Sequence, residues 1–337
     1  MKAAGLDYNS QALVERDVPE PRLCGPDEVL LRVREVGVCG TDREVASFQI
    51  GFPPAGQSFL VLGHEALAQV VEGGPGVKEL KPGDWVAPMV RRACNPPCPS
   101  CARGRRDLCI SGKALERGIF GLHGYFAEYA VDSEADLVRV PGPLLESAVL
   151  IEPLSVVEKA IEKALRIHEP GARTALVLGA GPIGLLAAMV LQLRGLRTAI
   201  FSLEPPGHPR AKLATSAGIE YLTELGGRRA DIIIEATGSA VAALQGLGWL
   251  APLGVMGVLG SPDVEGVIPF RNMLVRNQTV FGSVNASPAA FARALEDLPR
   301  MDAKVLGRMV RRARFGDFAE TIPAVAGETS KVVHVIE

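Results

Sequence analysis

The sequence lacks a charge excess of either sign. Its 337 residues include 36 lysines and arginines against 38 aspartates and glutamates, which gives a formal net charge of −2 at pH 7. Nothing in this balance favours a large basic surface of the kind that binds nucleic acid or an anionic membrane. We therefore expect neither nucleic acid nor membrane as a partner.

Targeting segments and long membrane spans are also missing. The start, MKAAGLDYNS, has no basic residues followed by an apolar run, so we expect no secretory signal and a cytoplasmic chain. The stretch from Thr174 to Leu193 is uncharged and nearly long enough to span a membrane. Three glycines and a proline interrupt its front, and a buried strand, a tight turn and a buried helix explain it better.

The two halves of the chain differ in their hydrophobic pattern. The N-terminal half has short apolar runs between glycines and prolines, such as EVLLRVREVGVCG and ALAQVVEGG, which predict short strands. After the helical pattern EPLSVVEKAIEKAL, apolar strands alternate with helical stretches, which is typical of a parallel sheet with crossover helices. The chain is long enough for two domains, and its fold class is α/β.

A glycine-rich turn lies between a predicted strand, TALVL, and a predicted helix, LLAAMVLQL. Gly179, Gly181 and Gly184 form the pattern G-x-G-x-x-G, with Pro182 and Ile183 at the turn into the helix. The first glycine permits the tight turn, the second lets the backbone approach a pyrophosphate, and the third lets helix pack on strand. The phosphate then lies at the helix N-terminus, so the segment predicts dinucleotide binding.

Glu204 follows the last loop glycine by 20 residues, near the end of the next predicted strand. An acid at this place binds the adenosine ribose hydroxyls, which favours NAD. Ser202, His208, Arg210 and Lys212 are close enough in sequence to accommodate a 2′-phosphate, so NADP remains open.

Four of the six cysteines fall within sixteen residues, in CNPPCPSCARGRRDLC. Cys94, Cys98, Cys101 and Cys109 have spacings of three, two and seven residues. The first three alone match the spacing of radical enzymes with an iron–sulfur cluster, but the fourth thiolate completes a set typical of structural zinc. A disulfide is disfavoured in a cytoplasmic chain, and an empty reduced lobe stays an alternative to zinc.

A second set of metal-binding residue types is spread along the chain. Cys39 lies in GVCGTD, His64 and Glu65 in LGHEA, and Glu152 in IEPLSV. A thiolate, an imidazole and a carboxylate make a catalytic zinc site with one position open. The alternatives are a buried thiol, a core histidine and a helix-start acid, and the spacing alone does not show that these residues converge.

Seven motifs in order give the chain a family resemblance along nearly its whole length. They are GVCGTD, LGHE, KPGDWV, the cysteine lobe, GYFAEYAV, EPLSV and GAGPIG. The chain resembles the zinc-containing medium-chain alcohol dehydrogenases. CGTDREV, VRR, ERGI, EPLSV and FGSVNAS are most similar to the glucose (aldose) 1-dehydrogenases of archaea, and LIEPLSV also resembles the polyol dehydrogenases.

The resemblance implies a GroES-like β-rich catalytic domain and a Rossmann domain. The catalytic domain would comprise residues 1–153, with the cysteine lobe, and the returning segment 285–337, and the Rossmann domain residues 154–284. Relatives of this kind are homodimers or homotetramers, so the resemblance also implies further copies of the chain as partners.

The resemblance also assigns roles to residues of the predicted site. Cys39, His64 and Glu152 would bind the catalytic zinc, with Glu65 as a nearby acid or exchanging ligand. Thr41 would relay the substrate proton. Glu116 and Asn285 match positions that contact sugar or nicotinamide in the glucose enzymes.

Two departures from the family pattern bear on these expectations. The first cysteine spacing is three residues where the family lobe has two, and the extra residue falls within 95–97. The segment SLEPPG replaces the arginines that NADP-preferring glucose enzymes can carry, which favours NAD.

Together these features predict a zinc-dependent dehydrogenase of an aldose, most simply glucose oxidised at C1 to the lactone. A polyol dehydrogenase, a zinc-free quinone-type reductase and a cofactor-binding protein without activity are the alternatives.

Overall fold

The computed structural model of the chain describes residues 1–169, 171–261, 265–324 and 331–337. Its strands are β1 (Lys2–Asp7), β2 (Ala12–Asp17), β3 (Glu28–Gly37), β4 (Phe59–Val61), β5 (Glu65–Gly73), β6 (Trp85–Pro88), β7 (Glu116–Arg117), β8 (Gly121–Leu122), β9 (Tyr129–Ser133), β10 (Leu137–Val140), β11 (Thr174–Leu178), β12 (Arg197–Phe201), β13 (Glu220–Leu222), β14 (Ala230–Glu235), β15 (Leu250–Val258), β16 (Thr279–Gly282), β17 (Val310–Arg314) and β18 (Lys331–Val335). Its α-helices are α1 (Gly40–Ala46), α2 (Pro99–Ala102), α3 (Ile151–Ile167), α4 (Pro182–Leu193), α5 (Pro209–Ser216), α6 (Ala240–Trp249), α7 (Phe270–Arg276), α8 (Pro288–Asp297), α9 (Ala303–Met309) and α10 (Phe318–Thr321).

The second half of the chain forms a parallel sheet. Its strands have the order β13-β12-β11-β14-β15-β16, so the chain runs outward from β11 in both directions. The buried apolar strands TALVL and ADIIIE form its centre, as expected for strands covered on both faces. The predicted parallel sheet with crossover helices, the doubly wound sheet of a Rossmann domain, is therefore confirmed. Ligands of such sheets bind where the strand order reverses.

The N-terminal half is β-rich, and its largest sheet also contains the last two strands of the chain. β3 pairs antiparallel with β5 along one edge and with β9 and β18 along the other, where Val333 lies opposite Gly37. β17 extends this sheet beyond β18, and β2, β1 and β4 form a separate three-stranded sheet. The C-terminal segment therefore returns to the N-terminal sheet, beside the residues that follow β3.

The long helix α3 links the two halves. Its N-terminal turn, Ile151 to Leu154, is buried, and the helix packs against α4 and α8. One continuous apolar core includes residues of α3, α4, α8, the parallel sheet and the N-terminal sheet. α3 therefore carries Glu152, at its start, to a defined place between the two sheets.

The uncharged run from Thr174 to Leu193 forms β11, the glycine turn and α4. Among the residues that the structure describes, no helix is long and apolar enough to cross a membrane.

The predicted domain boundaries at 153/154 and 284/285 remain a proposal, supported by the start of α3 at Ile151 and the end of β16 at Gly282.

Candidate active site

Cys39 lies where β3 gives way to α1, as the N-cap residue of that helix. The Cys39 N–H donates to a carboxylate oxygen of Asp42 at 2.7 Å, one of the N-terminal N–H groups that a helix leaves without an internal partner. Asp42 is fully buried, and Thr41 Oγ1 lies 3.8 Å from the Cys39 sulfur. The turn therefore presents a thiol and a hydroxyl side by side, with a buried carboxylate beneath them.

His64 lies between β4 and β5, after a turn that only glycine can make. Gly63 has a φ of +84°, and a Cβ there would lie 2.5 Å from the ring of Phe126. The His64 Nδ1 is 3.4 Å from the Asp42 carboxylate, an ion-pair distance that is longer than a good hydrogen bond. Burial alone would lower the pKa of His64, but the charge of Asp42 and the contact with Cys39 raise that pKa well above its usual value.

Asp42 was not among the predicted site residues. Its signal is present in the sequence, because an acid three residues after the N-cap position is the second half of a capping box. Here Asp42 contacts two parts of the site, the Cys39 backbone N–H and the His64 ring.

Glu65 and Lys331 form a buried ion pair beside this cluster. Lys331 Nζ lies 2.7 and 2.6 Å from the two carboxylate oxygens of Glu65, and it also donates to the Val38 carbonyl at 3.1 Å. Burial by itself would lower the pKa of Lys331, but the charge of Glu65 outweighs it and raises that pKa. Lys331 is 266 residues from its partner. No local pattern in the sequence identifies it.

Three of the four residues that the sequence assigns to the catalytic zinc site, Cys39, His64 and Glu65, converge in space, whereas Glu152 lies outside this group. One donor atom each from Cys39, His64 and Glu65 lies within 4.8 Å of the others. Glu152 is buried in the first turn of α3, and burial together with the charge of Glu65 raises the pKa of Glu152 to about 7. A thiol, an imidazole and one carboxylate at this separation are a donor set that fits zinc.

The four lobe cysteines also meet, despite the longer first spacing. Their sulfurs all lie within 4.8 Å of one another, and none of the six cysteines of the chain forms a disulfide. The Cys98 N–H donates to the Cys94 sulfur at 3.1 Å, so the extra residue is absorbed in the loop between them. Backbone N–H groups of Cys101 and Ile110 lower the pKa of the Cys98 thiol to about 6, which favours a thiolate. The lobe therefore fits a tetrahedral metal with four sulfur ligands.

Glu116 and Asn285 meet from opposite halves of the chain. Both are buried, and Asn285 Nδ2 donates to Glu116 Oε2 at 3.3 Å. Arg91, which was not predicted, donates from Nε to Glu116 Oε1 at 2.8 Å. The turn after Glu116 packs on the histidine segment, because a Cβ on Gly118 would lie 2.6 Å from the Gly63 carbonyl oxygen. The pair therefore lies on the same side of the fold as His64.

The glycine loop has the shape that its sequence predicts. Gly179 has a φ of +99°, and a Cβ on Gly184 would lie 2.0 Å from the Gly179 carbonyl oxygen. Gly181 is the N-cap residue of α4, and a Cβ there would meet no atom within 4 Å. Pro182 and Ile183 form the first residues of that helix. The space above Gly181 fits a pyrophosphate at the helix N-terminus.

Glu204 lies three residues beyond β12 and has protein partners. Arg210 Nη1 is 2.9 Å from one carboxylate oxygen, and the Ser202 hydroxyl donates to the other. Burial alone would raise the pKa of Glu204, but these partners hold it below its usual value. The acid is therefore ionised beside a cation that the sequence also suggested as a phosphate ligand.

Comparison with known proteins identifies two family models that match successive parts of the chain. The alcohol dehydrogenase GroES-like domain matches residues 25–142, and the glucose dehydrogenase C-terminus matches residues 145–336. The cysteine lobe and the Cys39–His64 cluster fall in the first, and the glycine loop in the second.

Individual relatives match over almost their whole length. Glucose 1-dehydrogenase 2 of Vulcanisaeta moutnovskia is 40% identical over 97% of this chain and 96% of its own. Glucose 1-dehydrogenase of Methanocella arvoryzae is 38% identical over 99% of both chains. The structure of Haloferax mediterranei glucose dehydrogenase in complex with NADP, Zn and gluconolactone superposes with a TM-score of 0.91 at 31% identity, covering 100% of this chain and 99% of that one.

Proposed function

The chain belongs to the glucose dehydrogenases of the medium-chain alcohol dehydrogenase superfamily, and from this premise we propose that it is a zinc-dependent aldose dehydrogenase. It oxidises an aldose at C1, with glucose as the first candidate, and passes the hydride to NAD or NADP. The observation that carries this proposal is the meeting of Cys39, His64 and Glu65 within 4.8 Å, with Glu152 buried beside them.

Zinc would be held by Cys39, His64 and Glu152. Glu65 lies within 4.8 Å of Cys39 and His64 but is paired with Lys331, so we propose it as the nearby acid that can exchange with these ligands. When bound, zinc supplies a Lewis acid that stabilises negative charge on the reacting oxygen. Asp42 orients the imidazole of His64 from beneath, in the way that carboxylates orient metal-binding histidines. A second zinc in the lobe of Cys94, Cys98, Cys101 and Cys109 would contribute folding energy.

Substrate and proton are handled by side chains around this cluster. The Thr41 hydroxyl, 3.8 Å from the Cys39 sulfur, accepts the proton of the reacting alcohol and passes it outward. Glu116 and Asn285 offer a carboxylate and a carboxamide, which suit sugar hydroxyls or the nicotinamide amide. Both side chains are buried, so a sugar bound against them would be shielded from water on that side.

The dinucleotide would bind along the carboxyl ends of the parallel strands, with its pyrophosphate over Gly181. Glu204 would bind the adenosine ribose, and its negative charge disfavours a 2′-phosphate. We therefore propose that NAD is preferred and that Arg210, held by Glu204, permits some use of NADP.

The decisive experiment is a panel of aldoses and polyols, each assayed with NAD and with NADP, combined with metal analysis. We expect lactone formation from an aldose and two zinc ions per chain. Turnover confined to polyols would replace the substrate assignment. One zinc ion and no turnover would indicate a cofactor-binding protein without activity.

We also propose a homodimer or homotetramer in the cytoplasm. α7 has no buried residue among those described, and Phe270, Leu274 and Val275 expose most of their apolar surface near the edge strand β16. A second copy of the chain would cover this surface, and sedimentation equilibrium would measure the assembly. Six cysteines without a disulfide suit a reducing compartment.

A further inference from the structure

One residue of the cysteine lobe contacts two cations from other parts of the fold. Asp107 lies two residues before Cys109, and its carboxylate is fully buried. Its backbone carbonyl accepts a hydrogen bond from Arg91 Nη1 at 3.0 Å. Its carboxylate binds Lys159 Nζ at 3.0 Å and also receives the Arg105 side chain from the lobe itself. Two separate arms of polar contacts therefore begin at Asp107.

The first arm leads to Glu116. Arg91 donates from Nε to Glu116 Oε1 at 2.8 Å, and its Nη2 lies 2.7 Å from the same oxygen. Because both donors meet Oε1, the other oxygen of Glu116 remains available to a different partner. Arg91 thus joins the lobe backbone at Asp107 to a carboxylate that we place in the substrate site.

The second arm leads to the edge of the parallel sheet. Lys159 lies on α3 and donates from Nζ to the carbonyl of Val284 at 2.8 Å. Asn285, the next residue, has a φ of 60°, a left-handed conformation that asparagine adopts more readily than most residues. The position of the Asn285 side chain therefore depends on a backbone that Lys159 holds.

The two arms close into a ring at the active site. Asn285 Nδ2 donates to Glu116 Oε2 at 3.3 Å, which is the oxygen that Arg91 leaves available. The ring thus joins Asp107, Arg91, Glu116, Asn285 and Lys159. It connects the cysteine lobe, α3, the start of β7 and the segment that follows β16. Each of its side chains is buried or nearly so.

We propose that Asp107 is a positioning residue that sets the Glu116–Asn285 pair for a polyhydroxylated substrate. This inference rests on the proposed function, because it assigns the pair to the sugar. Lys159 Nζ is held between the Asp107 carboxylate and the Val284 carbonyl. Neutralising Asp107 leaves this buried cation with only the Val284 carbonyl and shifts the backbone at Val284 and Asn285. A carboxylate and an amide that bind hydroxyl groups lose affinity when displaced by a fraction of an ångström. The cysteine lobe thereby controls substrate binding as well as folding.

The test compares Asp107→Asn with wild type on the best sugar of the panel. We expect KM for the sugar to rise roughly tenfold while kcat changes less than about threefold, because the pair binds substrate rather than reacting with it. The fold increase in KM for the double variant Asp107→Asn/Glu116→Gln should be well below the product of the fold increases for the two single variants, because both substitutions act through one contact.

A buried acid outside the ring provides the matched control. Asp297 is equally buried and pairs with Arg194, so Asp297→Asn should lower thermal stability without changing KM for the sugar. An Asp107→Asn protein that folds but keeps KM within about twofold of wild type, or whose effect multiplies fully with that of Glu116→Gln, would overturn the inference.

Hydrogen exchange separates this inference from the proposed function. In Asp107→Asn we expect faster amide exchange in segments 115–120 and 282–287, with no such change in Asp297→Asn. If wild type oxidises no sugar, the proposed function is wrong. Unchanged amide exchange in these segments of Asp107→Asn would overturn the proposed role of Asp107, whatever the result for activity. Lys159→Met breaks the second arm and is judged by the same measurements if Asp107→Asn does not fold. Failure of both variants to fold would mean that the ring serves folding alone.

Discussion

The two cysteine-containing clusters of this chain are built in opposite ways. The lobe takes all four sulfurs from residues 94–109, and a single loop, α2 and one further turn bring them together. The other cluster takes Cys39 from the end of β3, His64 and Glu65 from the start of β5, and Lys331 from the start of β18. One cluster is local in sequence, and the other exists only in the folded chain.

The two clusters also differ in chemistry, because the lobe is uniform and the second cluster is mixed. The lobe offers four thiols of one kind, and backbone N–H groups are what lower the pKa of Cys98. The second cluster balances buried carboxylates against His64 and Lys331, so each charge there depends on others that arrive from distant segments. A local cluster suits a closed structural site, whereas a balanced and mixed one suits chemistry in which charge changes.

The largest effect should follow from Cys39→Ser. A hydroxyl replaces a thiolate ligand, so the variant should lose the zinc of this cluster and roughly 10³-fold or more in kcat/KM. Dinucleotide binding should persist, because the glycine loop is unchanged. Metal content and steady-state kinetics measure the result, with the exposed Cys24→Ser as control. Near-normal turnover in Cys39→Ser would show that the Cys39 cluster is no more necessary for the reaction than the cysteine lobe.

Cys101→Ser should affect stability rather than the metal chemistry at Cys39. Loss of one lobe ligand should cost about 4 kcal/mol of folding free energy, on the order of 10 °C in Tm, while the zinc at Cys39 stays bound. Calorimetry and metal analysis, again beside Cys24→Ser, make the measurement. Unchanged zinc content and unchanged melting would show that the lobe holds no metal in the native protein.

Lys331→Met should destabilise the protein by about 3 kcal/mol, because it leaves Glu65 buried without its cation. The loss should be largest in the presence of a chelator and smaller with zinc, since a dication also neutralises the buried carboxylates. Melting with and without chelator tests this, and Lys331→Arg keeps the charge as a control. Equal losses under both conditions would mean that Lys331 has no electrostatic link to the metal cluster.

The smallest effect concerns a motif that the sequence predicts locally, the acid after β12. Glu204→Gln removes a charge that pairs with Arg210 and that we propose faces the ribose, so the ratio of activity with NAD to activity with NADP should fall about tenfold, or ~1.4 kcal/mol. kcat/KM for both cofactors gives the ratio. Glu220→Gln, which removes a more exposed ion pair of similar length with Arg228, should leave this ratio unchanged. A ratio that Glu204→Gln does not alter would exclude the ribose role.

Much of the architecture could be predicted from patterns of a few residues. The apolar runs TALVL and ADIIIE became the central strands β11 and β14, and the glycine turn has the backbone that its spacing requires. The four lobe cysteines lie close enough in sequence that one loop had to bring them together. The resemblance built on such motifs is confirmed by the family models and relatives.

The sequence by itself therefore determined the strands, the glycine loop and the lobe, because short-range hydrogen bonding and chain geometry decide these within a few residues. Only the tertiary structure decided which buried charges meet. Lys331 reaches Glu65 because β18 and β5 flank β3 on opposite edges, and Glu116 reaches Asn285 because the start of β7 lies beside the segment that follows β16. The cost of burying an unpaired charge makes such pairs necessary, but which residues form them depends on the register of strands hundreds of residues apart.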